Sequence, residues 1–440
     1  MNRKERRDLA HWAMDRALKA GADQAAVSIN LSRDVEIEFR NKQLDKLQEA
    51  TRNGLYLEVY VQQRYSGQST NDLKKDSLER FITDSVGGAR YLTKDEFRSL
   101  PDPKYYGGQV QAELKILDGS YPAVETPDRV KMASSIEAAA MAQSDQIIST
   151  TAGYNDTHSE NVQVNSNGFE GEEESTSFSA GAEVTVKDGE SGRPEDWFYA
   201  TTRFRTDLPD AEMLGKNAAH RALRKIGQKK LESGTYQMIV ENRAAGRLLG
   251  AMQGPMSGRS LQQKSSFLEG MLGKKIASEK LTVIDDPFVE KGLGSRFFDG
   301  EGLAAKRRVV IEKGVLRHYF IDNYYGKKLG MEPTTAWPSN VLFEYGTQTL
   351  DEMIAGIKRG ILVTGFIGGN SNSTTGDFSF GIVGLLVDAG KTVRPVNEMN
   401  ISGNMKEFWN QLSGVGNDPY LYSSMRIPSL CFEGVNFSGL

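Results

Sequence analysis

The chain has a single cysteine, Cys431, among 440 residues. No disulfide can form within it, which fits a reducing compartment. The run Pro428-Ser429-Leu430-Cys431-Phe432 is apolar and strand-like, so the thiol reads as buried and inert and not as a nucleophile. Histidine is scarce too. His11, His158, His220 and His318 are the only four, and no two lie within five residues of each other. Helical zinc pairs of the H-E-x-x-H kind are thereby excluded, and a zinc site would have to be assembled from distant segments. His11 and His220 read as helix residues and His318 as a strand residue. Long apolar runs are missing: stretches such as Gly381–Val387 fall far short of the roughly 20 residues that span a bilayer. Met1 to Asp8 are mostly charged with no apolar core behind them, so no signal peptide is expected. Neither sign of charge dominates. Lys and Arg number 54 against 58 Asp and Glu, a net charge of −4, which argues against a dedicated nucleic-acid face. No G-x-S-x-G is present. Gly390-Lys391-Thr392 resembles the end of a phosphate loop, but Leu385 stands where the first glycine belongs, and a hairpin turn fits better. The basic clusters Lys306-Arg307-Arg308 and Arg221/Arg224/Lys225/Lys229/Lys230 read as solvated faces. The expectation is a cytoplasmic protein with neither membrane nor direct nucleic-acid contacts.

What is present is globular: 38% hydrophobic and 25% charged residues. At roughly 150 residues per domain the length suggests two or three domains. Glycine marks a boundary, with 16 in residues 1–233 and 29 in residues 234–440. The pattern predicts an α+β protein: an N-terminal region of helices and antiparallel strands, then a Gly-rich antiparallel β domain. Residues 1–98 form an N-terminal subdomain. A helix over 4–20 carries Leu9, Ala13 and Ala17 on one stripe. Strands follow over Ala25–Leu31, Val35–Phe39 and Gly54–Val61, then a helix over 73–86 started by Asn71 or Asp72. A Pro- and Gly-bearing connector spans 99–124. Residues 125–232 hold a helix opened by Thr126 as cap with Pro127 at the first position, a β-meander and a last helix near 209–226. In the meander Asn167-Gly168 marks a hairpin turn, and Thr176, Phe178, Ala180, Ala182, Val184 and Val186 alternate with small or polar residues. Residues 233–440 form the Gly-rich β domain, opening with a strand over Tyr236–Val240 and a helix over Ala244–Met252. No repeat of 20–50 residues is visible.

No catalytic constellation emerges from these residues alone. Asp285-Asp286 and Asp299-Gly300-Glu301-Gly302 could serve acid–base chemistry or hold a hard cation, but Asp beside Gly is first a turn former. A Gly-rich antiparallel sheet can take up an extended peptide at an edge.

Several runs in the second half carry a resemblance. They are Ser233-Gly234-Thr235-Tyr236, Ala244-Ala245-Gly246-Arg247-Leu248-Leu249, Leu272–Ser278 and Leu281–Pro287. Phe298-Asp299-Gly300-Glu301-Gly302, Pro338–Val341, Thr375-Gly376-Asp377-Phe378-Ser379 and Ile401–Met405 complete the set. The chain resembles the TldD/PmbA family, and within it the PmbA, or TldE, branch. The likeness covers nearly all the chain and is most specific from about residue 230. It implies a heterodimeric cytoplasmic protease. In the TldD member a helix bears H-E-x-x-x-H, whose histidines bind zinc and whose Glu activates water, and a cysteine completes the site. Here the matching stretch is Leu248–Pro255. Gly250 and Pro255 stand where the histidines belong, and Ala251 where the Glu belongs; none can bind zinc or act as a base. Cys431 does not sit in the Cys-Gly context of the TldD ligand, so that role is not carried over.

The resemblance therefore implies a subunit without catalytic residues or a cofactor of its own, the zinc residing in a TldD-type partner. The pair would cleave unfolded or extended peptides. The family's label as a modulator of DNA gyrase would then reflect peptide processing and not DNA contact. Asn370, Gly376, Asp377 and Ser379 are expected at a peptide-binding or interface surface. Two other readings stay open: an autonomous peptidase with a cryptic metal or nucleophile, and a peptide-binding homodimer without catalysis.

Overall fold

Six strands whose residues alternate between apolar and polar positions build the first sheet. In a computed structural model that describes residues 1–108 and 112–440, these strands are β1 (Gln24–Arg40), β2 (Gln43–Val61), β3 (Arg64–Thr70), β4 (Ile147–Asn165), β5 (Glu170–Val186) and β6 (Glu195–Thr202). All pair antiparallel, in the order β3-β2-β1-β4-β5-β6. Two three-stranded meanders, one from residues 1–98 and one from 125–232, thus meet through the central β1–β4 pair. Four helices cover one face: α1 (Arg3–Lys19), α2 (Lys75–Ala89), α3 (Thr126–Met141) and α4 (Ala211–Leu223). Leu9, Ala13 and Ala17 of α1 pack with Val27, Ile29, Leu55, Leu57 and Val59. Ala133 and Ile136 of α3 pack with Ile37, Tyr154, Phe178 and Ala180. A full side chain of this size contributes about 1.5–3 kcal/mol when it leaves water, so the dry face dictates the register.

The strands run longer than their apolar patterns. Polar Ser32-Arg33-Asp34 separates the two short strands expected in β1, yet the backbone continues, because Ser32 pairs with Arg52 on one side and Ser159 on the other. Pairing on both flanks overrides local composition here. Asn167-Gly168 does turn β4 into β5, with Gly168 alone of the two at positive φ. Helix starts shift slightly. The cap of α3 is Glu125, without a side-chain bond; Thr126 is the first helical residue and Pro127 the second. Asp72 accepts from the Lys74 amide in a turn just ahead of α2.

The second half begins with β7 (Gly234–Val240) and α5 (Asn242–Gln253). Further strands are β8 (Val283–Asp285), β9 (Arg308–Glu312), β10 (Val315–Leu316), β11 (Val341–Phe343), β12 (Arg359–Ser371), β13 (Asp377–Asp388), β14 (Lys391–Asn404), β15 (Leu412–Val415), β16 (Met425–Arg426) and β17 (Leu430–Ser438). A small sheet has the order β10-β9-β8-β11-β16, and the large one β14-β13-β12-β7-β17-β15. The large sheet is antiparallel except at β7–β12, which is parallel; the long crossover between those strands permits it. It also curls on itself. Asn400 and Ile401 of β14 pair with Ser438 and Phe437 of β17, closing β14-β13-β12-β7-β17 into a ring around Val240, Val363, Phe380, Ile401 and Phe432. Ala389 and Gly390, both at positive φ, turn β13 into β14. The closure takes up Asn400 and Ile401, with one further bridge from Val396 to Lys229, and so shortens the strand edge that the glycine content alone suggests is open to a peptide.

Arg129 of α3 is 1% exposed. Its Nε donates to Asp156 Oδ2 at 2.6 Å and its Nη1 to the Val124 carbonyl at 2.7 Å. Tyr121 Oη donates to Asp156 Oδ1 at 2.9 Å. Arg129→Ala leaves the Asp156 carboxylate buried and uncompensated and should cost about 3–5 kcal/mol in urea unfolding. Replacing both partners, Arg129→Met with Asp156→Leu, should cost distinctly less. Equal losses in the two variants would rule this account out.

Candidate functional site

The strand β7 delivers Glu241 to the N-terminus of α5, where two arginines from α4 and the turn after it meet it. Arg221 Nη1 and Nη2 donate to the two Glu241 oxygens at 2.7 and 2.8 Å, and Arg224 Nη2 adds a bond at 3.3 Å. A second carboxylate, Asp196 of β6, lies 2.8 Å from Arg243 Nη2, 3.1 Å from Lys225 Nζ and 3.6 Å from Arg221 Nε. Burial alone would push the Asp196 carboxyl up; Lys225, Arg221 and Arg243 outweigh it and hold the group at about 2. The solvated basic face expected at Arg221, Arg224 and Lys225 is thus corrected. Arg221 is only 7% exposed, because its partners come from β6 and from the start of α5.

Helical spacing then divides α5. Ala245, Leu248, Leu249 and Met252 are buried, while Arg243, Gly246, Arg247 and Gly250 form the other face. Gly250 is exposed, and a Cβ there would meet nothing within 4 Å. Ala251 is half-buried against the core. Pro255 lies beyond the helix end, buried, its carbonyl accepting from Ser266 Oγ at 2.6 Å. These three positions therefore do not converge on one point. Among the described residues no group of three or more His, Cys, Asp or Glu is placed to hold a metal ion.

The other expected surface is the β12–β13 hairpin. Asn370 and Ser379 are exposed and directly paired across it. With Asp377 they line a surface hollow of about 570 Å³. Thr375 Oγ1 and Asn404 Nδ2 donate to the Asp377 carboxylate at 2.7 and 2.8 Å, holding its carboxyl below the usual range. Gly376 is buried beneath, at φ +89°, where an added Cβ would sit 2.9 Å from Asn404 Oδ1; its part is to let the chain turn. The structure brings hairpin and helix together. Arg247 Nη2 donates to the Gly369 carbonyl at 3.0 Å, and its guanidinium lies 4.8 Å from the Phe380 ring centre.

On the other side of Arg247 opens a cleft of about 610 Å³. Glu183, Trp197, Arg243, Arg247, Phe366 and Ile367 are among its lining residues. Sequence reasoning missed these. The only signal was Arg243 and Arg247 one turn apart on α5, on the same face as Gly246 and Gly250.

The remaining candidates are structural. Cys431 is buried in β17, and burial pushes its thiol up. His318 lies just past β10, outside a strand, its ring pushed down by burial and then by Arg308. Asp299 Oδ1 accepts from the amides of Glu301 and Leu303 at 3.0 Å each, as a turn former does. The turn reading fails for Asp285, which is the buried last residue of β8 and whose Oδ1 accepts from the distant Ser339 amide at 2.6 Å and from its hydroxyl. Burial pushes Glu301 up to about 8, with Asp299, Asp322 and Glu58 adding repulsion.

Comparison with known proteins then places this geometry. A family model for the PmbA/TldA metallopeptidase C-terminal domain matches residues 233–439, and one for the central domain matches residues 119–226. Metalloprotease PmbA of Escherichia coli O157:H7 is 29% identical over 95% of this chain and 93% of its own length. A metalloprotease TldD homologue of Buchnera aphidicola is 29% identical over 48% of this chain and 47% of its own. The crystal structure of a candidate modulator of DNA gyrase from Bacteroides thetaiotaomicron shares 45% identity over all of both chains, with a TM-score of 0.97. TldE from Thermococcus kodakarensis, at 22% identity over 98% of this chain and 100% of its own, shares the fold with a TM-score of 0.88.

Two outcomes follow from this geometry. Asp196→Asn should destabilise the chain by about 2 kcal/mol near neutral pH. Because the folded carboxyl is held down, its contribution is complete above the unfolded value of about 4 and is lost as pH falls toward 2. Urea melts of the two proteins should therefore converge across that window. Gly250→Ala, in contrast, should raise stability by about 0.5–1 kcal/mol, since the helix gains a side chain into open space. A loss on thermal melting would mean that Gly250 is packed.

Proposed function

The chain belongs to the PmbA/TldD metallopeptidase family, and from that premise we propose that it is the non-catalytic subunit of a two-chain zinc protease. Its partner on this reading is a TldD-type chain that bears H-E-x-x-x-H, and the substrates of the pair are unfolded or extended peptides. One observation carries the reading: in α5 and the turn after it, Gly250, Ala251 and Pro255 offer no nitrogen, oxygen or sulfur side-chain donor. These residues do not fit a zinc ion. Cys431 offers no substitute, being buried in a paired strand. The zinc then belongs to the partner, and this chain supplies wall and binding surface. Arg243 and Arg247, the cleft beside them, and the exposed Asn370, Asp377 and Ser379 are the surface in question. No helix among the described residues is long and apolar enough to cross a membrane.

Co-expression with a TldD-type chain, followed by size exclusion with light scattering and by hydrolysis of an unfolded peptide, tests the proposal. A mixed complex should form, and its activity should exceed severalfold that of either chain alone and vanish with a chelator. The present chain, purified without added zinc, should carry zinc well below one per chain by elemental mass spectrometry. Hydrolysis by this chain alone, with about one tightly held metal, would instead make it an autonomous peptidase. A stable homodimer that ignores the TldD-type chain would make it a separate peptide binder.

A further inference from the structure

We propose that the cleft between β6 and α5 is a subsite for a cationic side chain, lysine or arginine, of an extended peptide, with Glu183 as its counter-ion. The proposal rests on the reading of the chain as a peptide-binding subunit and names one feature of its substrates.

The charges lining the cleft set up the argument. Two of its cations are paired, Lys225 and Arg243 both sitting on Asp196; Arg247 is held by the neutral Gly369 carbonyl at the far side of the cleft. Asp196 is correspondingly saturated. Glu183 and Glu195 are different, for neither has a cation within ion-pair distance among the described residues, and both are exposed. Glu183 is exposed at its tip but sits partly sunk in the cleft, and this partial desolvation, with the like charges of Glu195 and Asp196, pushes its carboxyl up. An incoming cation relieves that repulsion, whereas an anion adds to it.

The walls suit a long cationic side chain. The β5–β6 register sets Glu183 directly opposite Trp197 on the face of the sheet away from the helices. Trp197 is 43% exposed and Ile367 50% exposed, with Phe366 and Val383 beside them. Apolar methylenes can lie along this wall while the charged head reaches the carboxylate; the Trp197 ring already carries the Arg243 guanidinium, 4.1 Å from its centre, so the indole contributes apolar surface and the carboxylate supplies the charge selectivity. Recognition must come from side chains here. The outward carbonyls of β6 that an added strand would use are taken: Lys225 Nζ donates to Glu195 O at 2.6 Å, Arg243 to Trp197 O, and Tyr420 Oη to Tyr199 O at 3.0 Å.

The test uses fluorescence anisotropy of labelled, unstructured Gly/Ser peptides with one central residue: Lys, Arg, Gln or Glu. It is run on the full-length chain and on its complex with a TldD-type chain. The Lys and Arg peptides should bind about two- to fivefold tighter than the Gln peptide, as expected for an exposed ion pair. Glu183→Gln, at an exposed position and checked for native circular dichroism, should bring that ratio close to one. Glu183→Lys should invert the preference toward the Glu peptide. A ratio of one in the native protein, or a ratio that Glu183→Gln leaves unchanged, overturns the inference while the peptide-binding reading stands. No binding of any peptide by chain or complex overturns both.

Discussion

A buried carboxylate, Asp196, and a half-buried one, Glu241, hold the cleft side of the molecule together. They belong to different parts of the chain, the edge of the first sheet and the start of α5, and they share Arg221. Taking such charges out of water costs several kcal/mol per ion, so the array holds only with its partners complete. Arg224, Lys225 and Arg243 complete it. The geometry has a consequence for the helix, since an acidic residue at the N-terminus of α5 also opposes the helix dipole favourably. Arg243 is thereby fixed, 4.1 Å from the Trp197 ring centre, and it sets the back of the cleft.

The C-terminal ring supplies the opposite wall. Its closure through Ile401 and Phe437 turns the β12–β13 hairpin into a stiff projection beside α5. Two glycines at positive φ make the hairpin possible. Gly369 passes so near the Ser379 carbonyl that a Cβ would lie 2.1 Å from it, and Gly376 packs against Asn404. On the proposed function, a surface already set by strand pairing would lower the ordering cost of taking up a peptide.

Legibility followed dryness. The alternation in β5 was readable because one face of that strand packs against α3 and α4 and excludes water. The stripe of α1 and the turns at Gly168 and Gly390 were readable for similarly local reasons. The continuity of β1 through Ser32-Arg33-Asp34 was not, because its cause lies in β2 and β4. Arg221 looked like a surface cation, since nothing near it in sequence announces Asp196 or Glu241. In the candidate site, Asn370, Asp377 and Ser379 lie together because β12 pairs with β13 there, a pairing not read from the sequence. Gly250, Ala251 and Pro255 proved to face three ways, because helical rotation and the helix end separate them. Glu183 and Trp197 were invisible, since only strand register makes them neighbours.

The meeting of β1 and β4 at the centre of the first sheet bears on what counts as a unit of folding. Each three-stranded half, taken alone, would present one bare flank of 17 or 19 residues, with every second backbone group along it unpaired. Those flanks are long and seek a partner strand. The two halves can satisfy each other, or a half from another molecule can do it for them. Residues 1–98 and 125–232 are thus interlocking pieces and not separable modules. A chain cut between them would yield two sticky fragments, and an exchange of halves between two copies would rebuild the same sheet.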